Sequence, residues 1–316
     1  MADTLFTYGP SNVTTLLATT IENRRKGIQD AIFDEIPTIK LLKQKGAVIE
    51  GGATIVTPLM YEQNGTAQFY NGHEQLDITP QEGHTAAQYK WKEAAVSISV
   101  SNREENIQNV GPSAVESLVD AKIKQATMSL KDLLNRSLYA ASPGTNNLGS
   151  LATTIDATSS IGDINSTTYS WWQSDVNASG SFAAQGRADM LTLYNALLVE
   201  GGKPDVLITT PAVHAFYEGS LIPQQRYESN SVGNASFKEL MFKNAQVIMD
   251  NDCTSGVMYF LDSRHLQLYV SGGNNMKMTE WVKPANQTSR VAQLLTACEL
   301  VSNNRRRLGK LTGFTA

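Results

Sequence analysis

The sequence is organised around the segment from Ser113 to Ala141, which reads SAVESLVDAKIKQATMSLKDLLNRSLYAA. Its first four residues match a capping box, in which the Ser113 hydroxyl and the Glu116 carboxylate satisfy backbone N–H groups of the first turn. Apolar residues then recur every three or four positions, as on the buried face of an amphipathic helix. They are Val115, Leu118, Val119, Ile123, Ala126, Leu130, Leu133, Leu134 and Leu138. Pro143-Gly144 follows as a strong terminator. The pattern predicts one helix of about 28 residues, roughly 42 Å long.

The composition disfavours several classes of protein. With 316 residues the chain is long enough for two domains or one elaborate one. Its formal net charge of −4 argues against a dedicated nucleic-acid binder, which would carry a basic bias. The start of the chain shows no signal peptide, and no apolar run approaches the length of a membrane span. Cys253 and Cys298 provide no disulfide framework. We therefore expect a soluble intracellular product.

Residues 47–101 predict a long β-hairpin. The segment Ala53–Tyr61 is rich in β-branched and aromatic residues, and Pro58 marks it as an edge strand. Across residues 89–100 apolar and polar side chains alternate, as in a strand with one wet face. If two arms of ~15 residues pair at ~3.3 Å per residue, the hairpin reaches roughly 50 Å. That length is about the diameter of a compact globule of this size, so the hairpin should project.

Between the two predicted arms lies a polar tip punctuated by glycine. It contains Asn64-Gly65 and Asn71-Gly72, and Asn-Gly pairs favour tight hairpin turns. Because an isolated two-stranded ribbon is only marginally stable in water, a projecting hairpin implies a surface on another molecule. The apolar side chains of the tip are therefore predicted to be inter-subunit contacts. They are Phe69, Tyr70, Leu76 and Ile78.

The remainder of the chain mixes helix and strand signals. Residues 12–45 suggest one or two short helices, broken or kinked at Pro37. Residues 144–185 read as irregular structure, in which Trp171-Trp172 forms a small satellite core rather than a ligand platform. From Gly186 the pattern predicts a compact α/β subdomain over a mixed sheet. Its predicted elements are a helix over 190–198 ended by Gly201-Gly202, a strand Val206–Thr209, a helix opened by Thr210-Pro211, and strands Ala245–Met249, Val257–Leu261, Leu266–Val270 and Met276–Thr279. Residues 291–301 could be helix or strand, and we predict a long strand.

No enzyme motif is present in the sequence. It lacks G-x-G-x-x-G, H-E-x-x-H, G-x-S-x-G and C-x-x-C. Gly309-Lys310 resembles the end of a phosphate loop, but Asn304 stands where the first glycine would fall. Asp250-Asn-Asp252 resembles the start of a calcium loop, yet its twelfth position is Leu261 instead of glutamate. We predict no catalytic, cofactor-binding or metal-binding residue.

Two groups of charged residues leave alternatives open. His73 and His84 flank the hairpin tip, but their spacing matches no known metal-binding pattern. The run Arg305-Arg306-Arg307 is most simply a solvated charge run. It could instead touch nucleic acid or the acidic groups of a neighbouring subunit. All three arginines, Arg305, Arg306 and Arg307, are therefore candidate inter-subunit contacts.

The order of these elements resembles that of the major capsid proteins of tailed double-stranded DNA bacteriophages, which have the Hong Kong 97 fold. Short phrases agree with this resemblance. The end of the chain, Val291-Ala-Gln-Leu-Leu…Glu299-Leu-Val-Ser-Asn-Asn304-Arg followed by Gly309-Lys310-Leu-Thr-Gly313, is similar to the end of many phage coat sequences. Trp171-Trp172 after a Ser/Thr stretch and the strand–Thr-Thr-Pro211 turn–helix are also similar. The resemblance spans nearly the whole chain.

The resemblance implies an α+β, Hong Kong 97-like capsid fold with five segments. Residues 1–49 would form the N-terminal arm, and residues 50–101 would form the extended β-hairpin loop. Residues 102–145 would supply the peripheral domain with its spine helix, and residues 146–279 would be the axial domain. Residues 280–316 would return to the peripheral domain as a strand and the C-terminus.

The resemblance also implies a function. The chain would be a structural major capsid protein that self-assembles into hexamers and pentamers of an icosahedral phage head. The head would enclose double-stranded DNA without sequence-specific binding, in the virion and, during assembly, in the host cytoplasm. Expected partners are other copies of the chain, a portal and a separate scaffolding protein, and a decoration protein is a further candidate partner. No cofactor and no membrane are expected. Residues 1–46 look too short for a fused scaffold.

Two alternatives remain at this stage. A cellular encapsulin-type compartment would share the fold but enclose enzymes. A polysaccharide-binding protein or glycosidase would account for the content of Trp, Asn, Ser and Thr, and it would require a pocket with paired carboxylates.

Overall fold

The computed structural model describes residues 37–104, 118–199, 201–221 and 240–315. The elements, in chain order, are α1 (Pro37–Lys45), β1 (Val48–Ile49), β2 (Thr54–Met60), β3 (His84–Lys90), β4 (Lys92–Val100), α2 (Leu118–Leu138), α3 (Leu151–Thr154), β5 (Ser160–Ile161), β6 (Ile164–Asn165), β7 (Asp175–Ala178), α4 (Arg187–Val199), β8 (Val206–Thr209), α5 (Pro211–Ser220), β9 (Leu240–Phe242), β10 (Ala245–Met249), β11 (Met258–Leu261), β12 (Leu266–Ser271), β13 (Lys277–Met278), β14 (Arg290–Ser302) and β15 (Gly309–Thr312). None of the described helices is long and apolar enough to span a membrane. Most of the predicted N-terminal arm lies outside the described residues, and Pro37 begins α1.

The chain divides into two compact units. Within the described residues, the first unit holds 93–104, 118–133 and 273–297, and the second unit holds the rest. Helix α2 and strand β14 each have residues in both units, because their bounds cross the division after Leu133 and after Ala297.

The predicted spine helix is present as α2, although its predicted capping box at Ser113 lies outside the described residues. Leu118, Leu130 and Leu138 are fully buried along it, as the periodicity predicts. The helix ends at Leu138, three residues earlier than predicted. There the next two backbone N–H groups bond carbonyl oxygens three residues back, which tightens the last turn into a stop.

One member of the predicted apolar face is wrong. Leu133 is exposed, whereas Asn135 is buried. A helix turns about 100° per residue, so buried positions four apart drift steadily around its axis. In the last two turns of α2 the buried apolar positions are Leu130, Leu134 and Leu138. Leu133 therefore faces the solvent.

The predicted hairpin is real but shorter than expected. Strands β2 and β3 pair in register from Thr54↔Lys90 to Met60↔His84, which makes a ribbon of seven residues per strand, or about 23 Å. Residues 92–100, expected to extend the second arm, form β4 and pair with β14 instead. The arms separate where the Trp91 indole N–H donates to the Gly52 carbonyl oxygen at 3.0 Å. Gly51 and Gly52 both have left-handed φ angles there, which favours glycine.

The paired part of the hairpin, called the stalk here (54–60 and 84–90), packs on its own unit. Ile55, Leu59, Ala87 and Tyr89 share a buried cluster with side chains from elsewhere in the second unit, including Trp172. This cluster confirms that the tryptophan pair is a satellite core. It also shows that the expectation of a fully projecting hairpin is wrong for the stalk and can hold only for residues 61–83.

The predicted α/β subdomain is confirmed in part within the second unit. The predicted strands Leu266–Val270 and Met276–Thr279 are present as β12 and β13, but both pair with β14 and neither joins the sheet of the subdomain. A six-stranded mixed sheet runs in the order β7-β15-β11-β8-β10-β9, with β8–β10 and β7–β15 parallel. Strand β8 is buried at all four positions, and helices α4 and α5 contribute to the same core cluster. Gly309-Lys310 belongs to β15 inside this sheet, so the segment is a strand and not a phosphate loop.

The predicted long strand near the C-terminus is confirmed as β14. In the first unit it pairs antiparallel with β13, where Lys277 lies opposite Leu295. In the second unit it pairs antiparallel with β12, which in turn pairs parallel with β1. From Thr296 to Ser302, β14 is buried on both faces. Polar and apolar residues therefore do not alternate cleanly along it.

Candidate assembly site on the hairpin tip

Residues 61–83, called the tip here, carry the predicted apolar contacts in exposed positions. Phe69 is fully exposed, Ile78 is 91% exposed, and Tyr70 and Leu76 are 64% and 53% exposed. Soluble proteins rarely leave large apolar groups clustered in water unless the surface binds something. The exposed apolar groups of the tip are of the type that the sequence predicts for inter-subunit contacts, and the contacts themselves stay a prediction.

The tip has local turn structure but no buried core. At its base Tyr61 stacks on Trp171 with ring centroids 5.0 Å apart, and its backbone N–H donates to the Gly83 carbonyl oxygen at 3.0 Å. Farther out, Asp77 accepts hydrogen bonds from the backbone N–H and hydroxyl of Thr79. Ordering each backbone residue costs about 1–2 kcal/mol, and such turns recover little of it without apolar burial.

The tip is also strongly anionic. It carries Glu62, Glu74, Asp77 and Glu82 but no lysine or arginine. The hydrogen bonds from Thr79 lower the pKa of the exposed Asp77 carboxyl below its usual range. A partner surface for the tip should therefore combine apolar area with positive charge.

The outer face of the stalk continues this exposed apolar surface. Val56 and Met60, which alternate with the buried Ile55 and Leu59, are 54% and 74% exposed. The inner face holds the stalk in place: the Tyr89 hydroxyl donates to the Ser302 carbonyl oxygen at 2.6 Å, and the Gln88 N–H donates to the Gly162 carbonyl oxygen at 3.0 Å. Burial raises the pKa of Tyr89, which keeps the phenol protonated.

The structure removes Arg305 from the candidate contacts. Its side chain is fully buried, with its guanidinium bonded to hydroxyl and carbonyl groups of one surrounding loop. Nε donates to the Thr154 carbonyl oxygen at 2.7 Å, Nη2 to the Asp156 carbonyl oxygen at 2.8 Å, and Nη1 to the Ser159 carbonyl oxygen at 3.0 Å. Desolvation is the main cause that lowers the pKa of Arg305 to about 10. Arg305 organises the loop of its own unit and cannot reach a neighbour.

The other two arginines remain at the surface. Arg306 is exposed. Arg307 is half-buried and donates from Nη1 to Nε2 of His265 at 2.9 Å. Since a guanidinium always donates, Nε2 of His265 must accept, and Nδ1–H then donates to the Asn303 side-chain oxygen at 2.7 Å. Arg306 stays a candidate contact, and Arg307 has at least one partner in its own chain.

Sequence patterns gave no hint of the buried acid Glu299. It is 5% exposed, its Oε1 accepts the Gly149 N–H at 3.1 Å, and its Oε2 has no partner within the described residues. Burial raises the pKa of Glu299 to about 7, while the Gly149 N–H and the charge of Lys92 act in the opposite direction. This carboxyl therefore changes charge near neutral pH, inside the protein.

The suspected calcium loop is instead a hydrogen-bonded anchor. The buried Asp250 accepts from the Thr38 hydroxyl, the Asn135 amide and the Tyr139 hydroxyl. These donors come from α1, α2 and the residue after α2, so the carboxylate joins three parts of the second unit.

Among the described residues, no group of three or more His, Cys, Asp or Glu side chains could hold a metal ion, and His73 and His84 are both exposed.

The first unit contains a polar cavity of about 310 Å³ between β4 and α2. Ser97, Ser99 and Ser129 contribute to its lining together with Lys122. The Lys122 ammonium donates to the Ser99 carbonyl oxygen at 2.9 Å and to the Glu104 carboxylate at 3.1 Å. The Ser101 N–H is the main cause that lowers the pKa of Glu104, and the hydrogen bond and charge of Lys122 lower it further. None of the described residues that line the cavity is a carboxylate, which is unlike a glycosidase cleft.

The fold places the chain among structures of viral capsids, and it confirms the α+β, Hong Kong 97-like fold predicted from the sequence. A chain of the cyanophage A-1(L) capsid asymmetric unit is similar over 94% of this chain and 97% of its own, with a TM-score of 0.69 and 17% identity. The capsid of an empty GTA particle is similar over 92% of this chain and 96% of its own, with a TM-score of 0.62 and 12% identity.

An encapsulin shares the fold as well. The holo-SrpI encapsulin complex from Synechococcus elongatus PCC 7942 is similar over 92% of both chains, with a TM-score of 0.60 and 9% identity. No protein-family model matches the chain, and no curated protein matches it in sequence. The similarity is therefore one of fold and not of sequence.

Proposed function

We propose that this chain is the major capsid protein of a tailed phage and self-assembles into hexamers and pentamers of an icosahedral head enclosing double-stranded DNA. The observation that carries the proposal is the extent of the structural match. The similarity to the cyanophage A-1(L) capsid chain covers nearly the whole of both chains, so almost every described element is accounted for by a shell fold. On the same grounds we propose a structural, non-enzymatic role.

The exposed tip supplies a driving force for assembly. Fully burying a large apolar side chain contributes about 1.5–3 kcal/mol, and the tip offers Phe69, Tyr70, Leu76 and Ile78. If each subunit both gives and receives a tip, the contact is head-to-tail and repeats around a ring that closes. The same small gain then acts at every subunit of a hexamer or pentamer.

The charge of the chain is suited to a container. The four carboxylates of the tip and the net charge of −4 disfavour tight binding along packed DNA. We therefore propose that DNA is enclosed without sequence-specific binding. A portal, a separate scaffolding protein and a decoration protein would complete the head in the virion, after assembly in the host cytoplasm.

Electron microscopy and content analysis of the expressed protein test this proposal. We expect closed shells or shell fragments with local five-fold and six-fold order, and heads from the source particle should yield nuclease-protected DNA. A protein that stays monomeric or dimeric under all salt and crowding conditions would contradict the proposal.

An encapsulin-type compartment is the second candidate, because the holo-SrpI encapsulin shares the fold. The content of the particle distinguishes the two. Shells isolated from the natural source should contain DNA if the chain is a phage capsid protein and a packaged enzyme if it is a compartment protein. A glycosidase is disfavoured by the lining of the described cavity, and a polysaccharide-degradation assay provides its test.

A further inference from the structure

The tip contains both Asn-Gly pairs of the chain, and the structure treats them differently. An asparagine followed by glycine can lose its side-chain amide when the next backbone nitrogen attacks Cγ. The rate depends on how closely that nitrogen approaches the side-chain carbonyl group and on whether other hydrogen bonds hold the side chain away from it. We propose that Asn71-Gly72 is a self-modification site, at which Asn71 deamidates spontaneously while Asn64 is protected.

The geometry at Asn71 brings the reacting groups together. The Gly72 backbone N–H donates to Oδ1 of Asn71 at 3.0 Å, so the attacking nitrogen lies beside the side-chain carbonyl group whose carbon, Cγ, it must attack. Holding two reacting groups next to each other favours their reaction. The turn is fixed on both sides, because the Asn71 N–H donates to the Glu74 carboxylate at 3.1 Å and the Glu74 N–H donates to the Asn71 carbonyl oxygen at 2.8 Å.

Gly72 offers no steric protection to this turn. The residue is exposed, and a Cβ added to it would meet no atom within 4 Å. Its φ angle lies outside the left-handed region, so alanine fits the observed conformation. The tip is thus open to water and hydroxide at this position, and Gly72→Ala is a variant that changes the chemistry without forcing a new fold.

Asn64 is held away from the same reaction. Its Oδ1 accepts two hydrogen bonds from the second residue along, from the Thr66 N–H at 2.9 Å and the Thr66 hydroxyl at 2.6 Å. Turning the Asn64 side chain towards the Gly65 nitrogen would break both bonds. The two Asn-Gly pairs have the same sequence, but their asparagines should deamidate at different rates.

The chemical step needs only water as a co-reactant. Base removes the Gly72 amide proton, the nitrogen bonds to Cγ of Asn71, and the Cγ–Nδ2 bond breaks to release ammonia after Nδ2 takes a proton from water. Water then opens the cyclic imide. Cleavage of the new N–Cγ bond leaves aspartate, and cleavage of the backbone C–N bond leaves isoaspartate, whose main chain runs through Cγ. Either product adds a carboxylate to a tip that already carries four.

Peptide mapping by mass spectrometry tests the proposal on the slowly sedimenting fraction of the purified protein, held at mildly alkaline pH. We expect the product at position 71 to form several-fold faster than at position 64, with matching ammonia release and isoaspartate detected by enzymatic methylation. Gly72→Ala should remove most of the product at position 71 and leave position 64 unchanged. Gly65→Ala is the matched control and should leave position 71 unchanged.

The denatured protein provides the reference for geometry. In urea the hydrogen bonds are lost, so the rates at positions 64 and 71 should converge. Three results would each overturn the proposal. They are equal deamidation rates at positions 64 and 71 in the folded protein, the same ratio of these two rates in folded and denatured protein, and an unchanged rate at position 71 in the Gly72→Ala variant.

Discussion

The hydroxyl of Tyr89 on strand β3 donates a 2.6 Å hydrogen bond to the carbonyl oxygen of Ser302, the last residue of strand β14. Both groups are buried, and the tyrosine ring belongs to the cluster under the stalk. The bond links the hairpin to a residue more than two hundred positions later in the chain. It helps to explain why the stalk packs on the rest of its unit while the tip beyond it stays exposed.

Removing this bond should loosen the stalk. Tyr89→Phe leaves a buried carbonyl without its donor, which costs about 1–3 kcal/mol in the free energy of unfolding. Urea denaturation should show that loss, and hydrogen exchange should show weaker protection of residues 54–60 and 84–90. The matched control is Tyr70→Phe, because Tyr70 is exposed in the tip and should lose almost nothing. Equal stability of Tyr89→Phe and wild type would contradict the assignment.

Glu299 should make stability depend on pH. Its pKa is raised to about 7 by burial, so the folded state binds its proton more tightly than the unfolded state does. Stability from this group is fully present below its usual pKa and is lost as pH rises through about 7. The shift corresponds to a loss of up to about 3 kcal/mol.

Glu299→Gln tests that dependence, because glutamine can still accept the Gly149 N–H. Denaturation midpoints measured from acid to mildly alkaline pH should fall more steeply for wild type than for the variant. Glu93→Gln, at an exposed position, should keep the wild-type slope. Parallel slopes for wild type and Glu299→Gln would show that the carboxyl does not titrate in this range.

The three arginines at 305–307 should differ sharply. Arg305→Lys loses the planar fork that reaches the Thr154, Asp156 and Ser159 carbonyl groups, leaving buried acceptors unpaired. We expect a loss of at least about 3 kcal/mol in the free energy of unfolding. Arg306→Lys, on the exposed neighbour, should stay within about 0.5 kcal/mol of wild type. Similar midpoints for the two variants in urea would contradict the buried position of Arg305.

Helix α2 offers a paired test of its buried face. Leu130→Asp places a charge without a partner in a fully buried position, which costs several kcal/mol and should give insoluble or unfolded protein. Lys124→Asp, at an exposed position on the same helix, should remain soluble. Soluble yield and circular dichroism measure both, and equal yields would show that the face was assigned wrongly.

The sequence was sufficient for the order of the elements. Apolar residues at every third or fourth position predicted α2, β-branched and aromatic residues predicted β2, and the Thr210-Pro211 signal after Val206–Thr209 predicted a strand and the helix after it. These signals depend only on neighbouring residues, so they can be recognised without knowledge of the tertiary structure. The long strand β14 was also recognised, because its polar residues define no single helical face.

The remaining errors have tertiary causes. A run of three arginines has the same sequence whether all three are solvated or one of them points inward, and only the loop around Thr154 and Ser159 distinguishes Arg305. The hairpin was overestimated because residues 92–100 alternate like a hairpin arm wherever they pair. Glu299 was missed because β14 is buried on both faces at that point, and alternation then carries no information about burial.

The apolar side chains of the tip can be tested one at a time. Phe69→Ser and Ile78→Ser remove fully or almost fully exposed groups, so the free subunit should keep its melting temperature while the yield of assembled particles falls. Gln68→Ser and Gln75→Ser are matched controls from neighbouring exposed positions and should assemble normally. Sedimentation velocity measures both fractions. Normal assembly of the double variant of Phe69 and Ile78 would show that these residues are not contacts.

The most direct test of the central claim is electron microscopy of wild type beside a variant in which residues 66–82 are replaced by a short Gly-Ser turn. The replacement keeps the Tyr61 base and the whole stalk, so both proteins should fold with the same melting temperature. Wild type should form closed shells, and the variant should remain as folded, unassembled subunits. Shells of the same size and yield from both proteins would contradict a capsid held together through the hairpin tip.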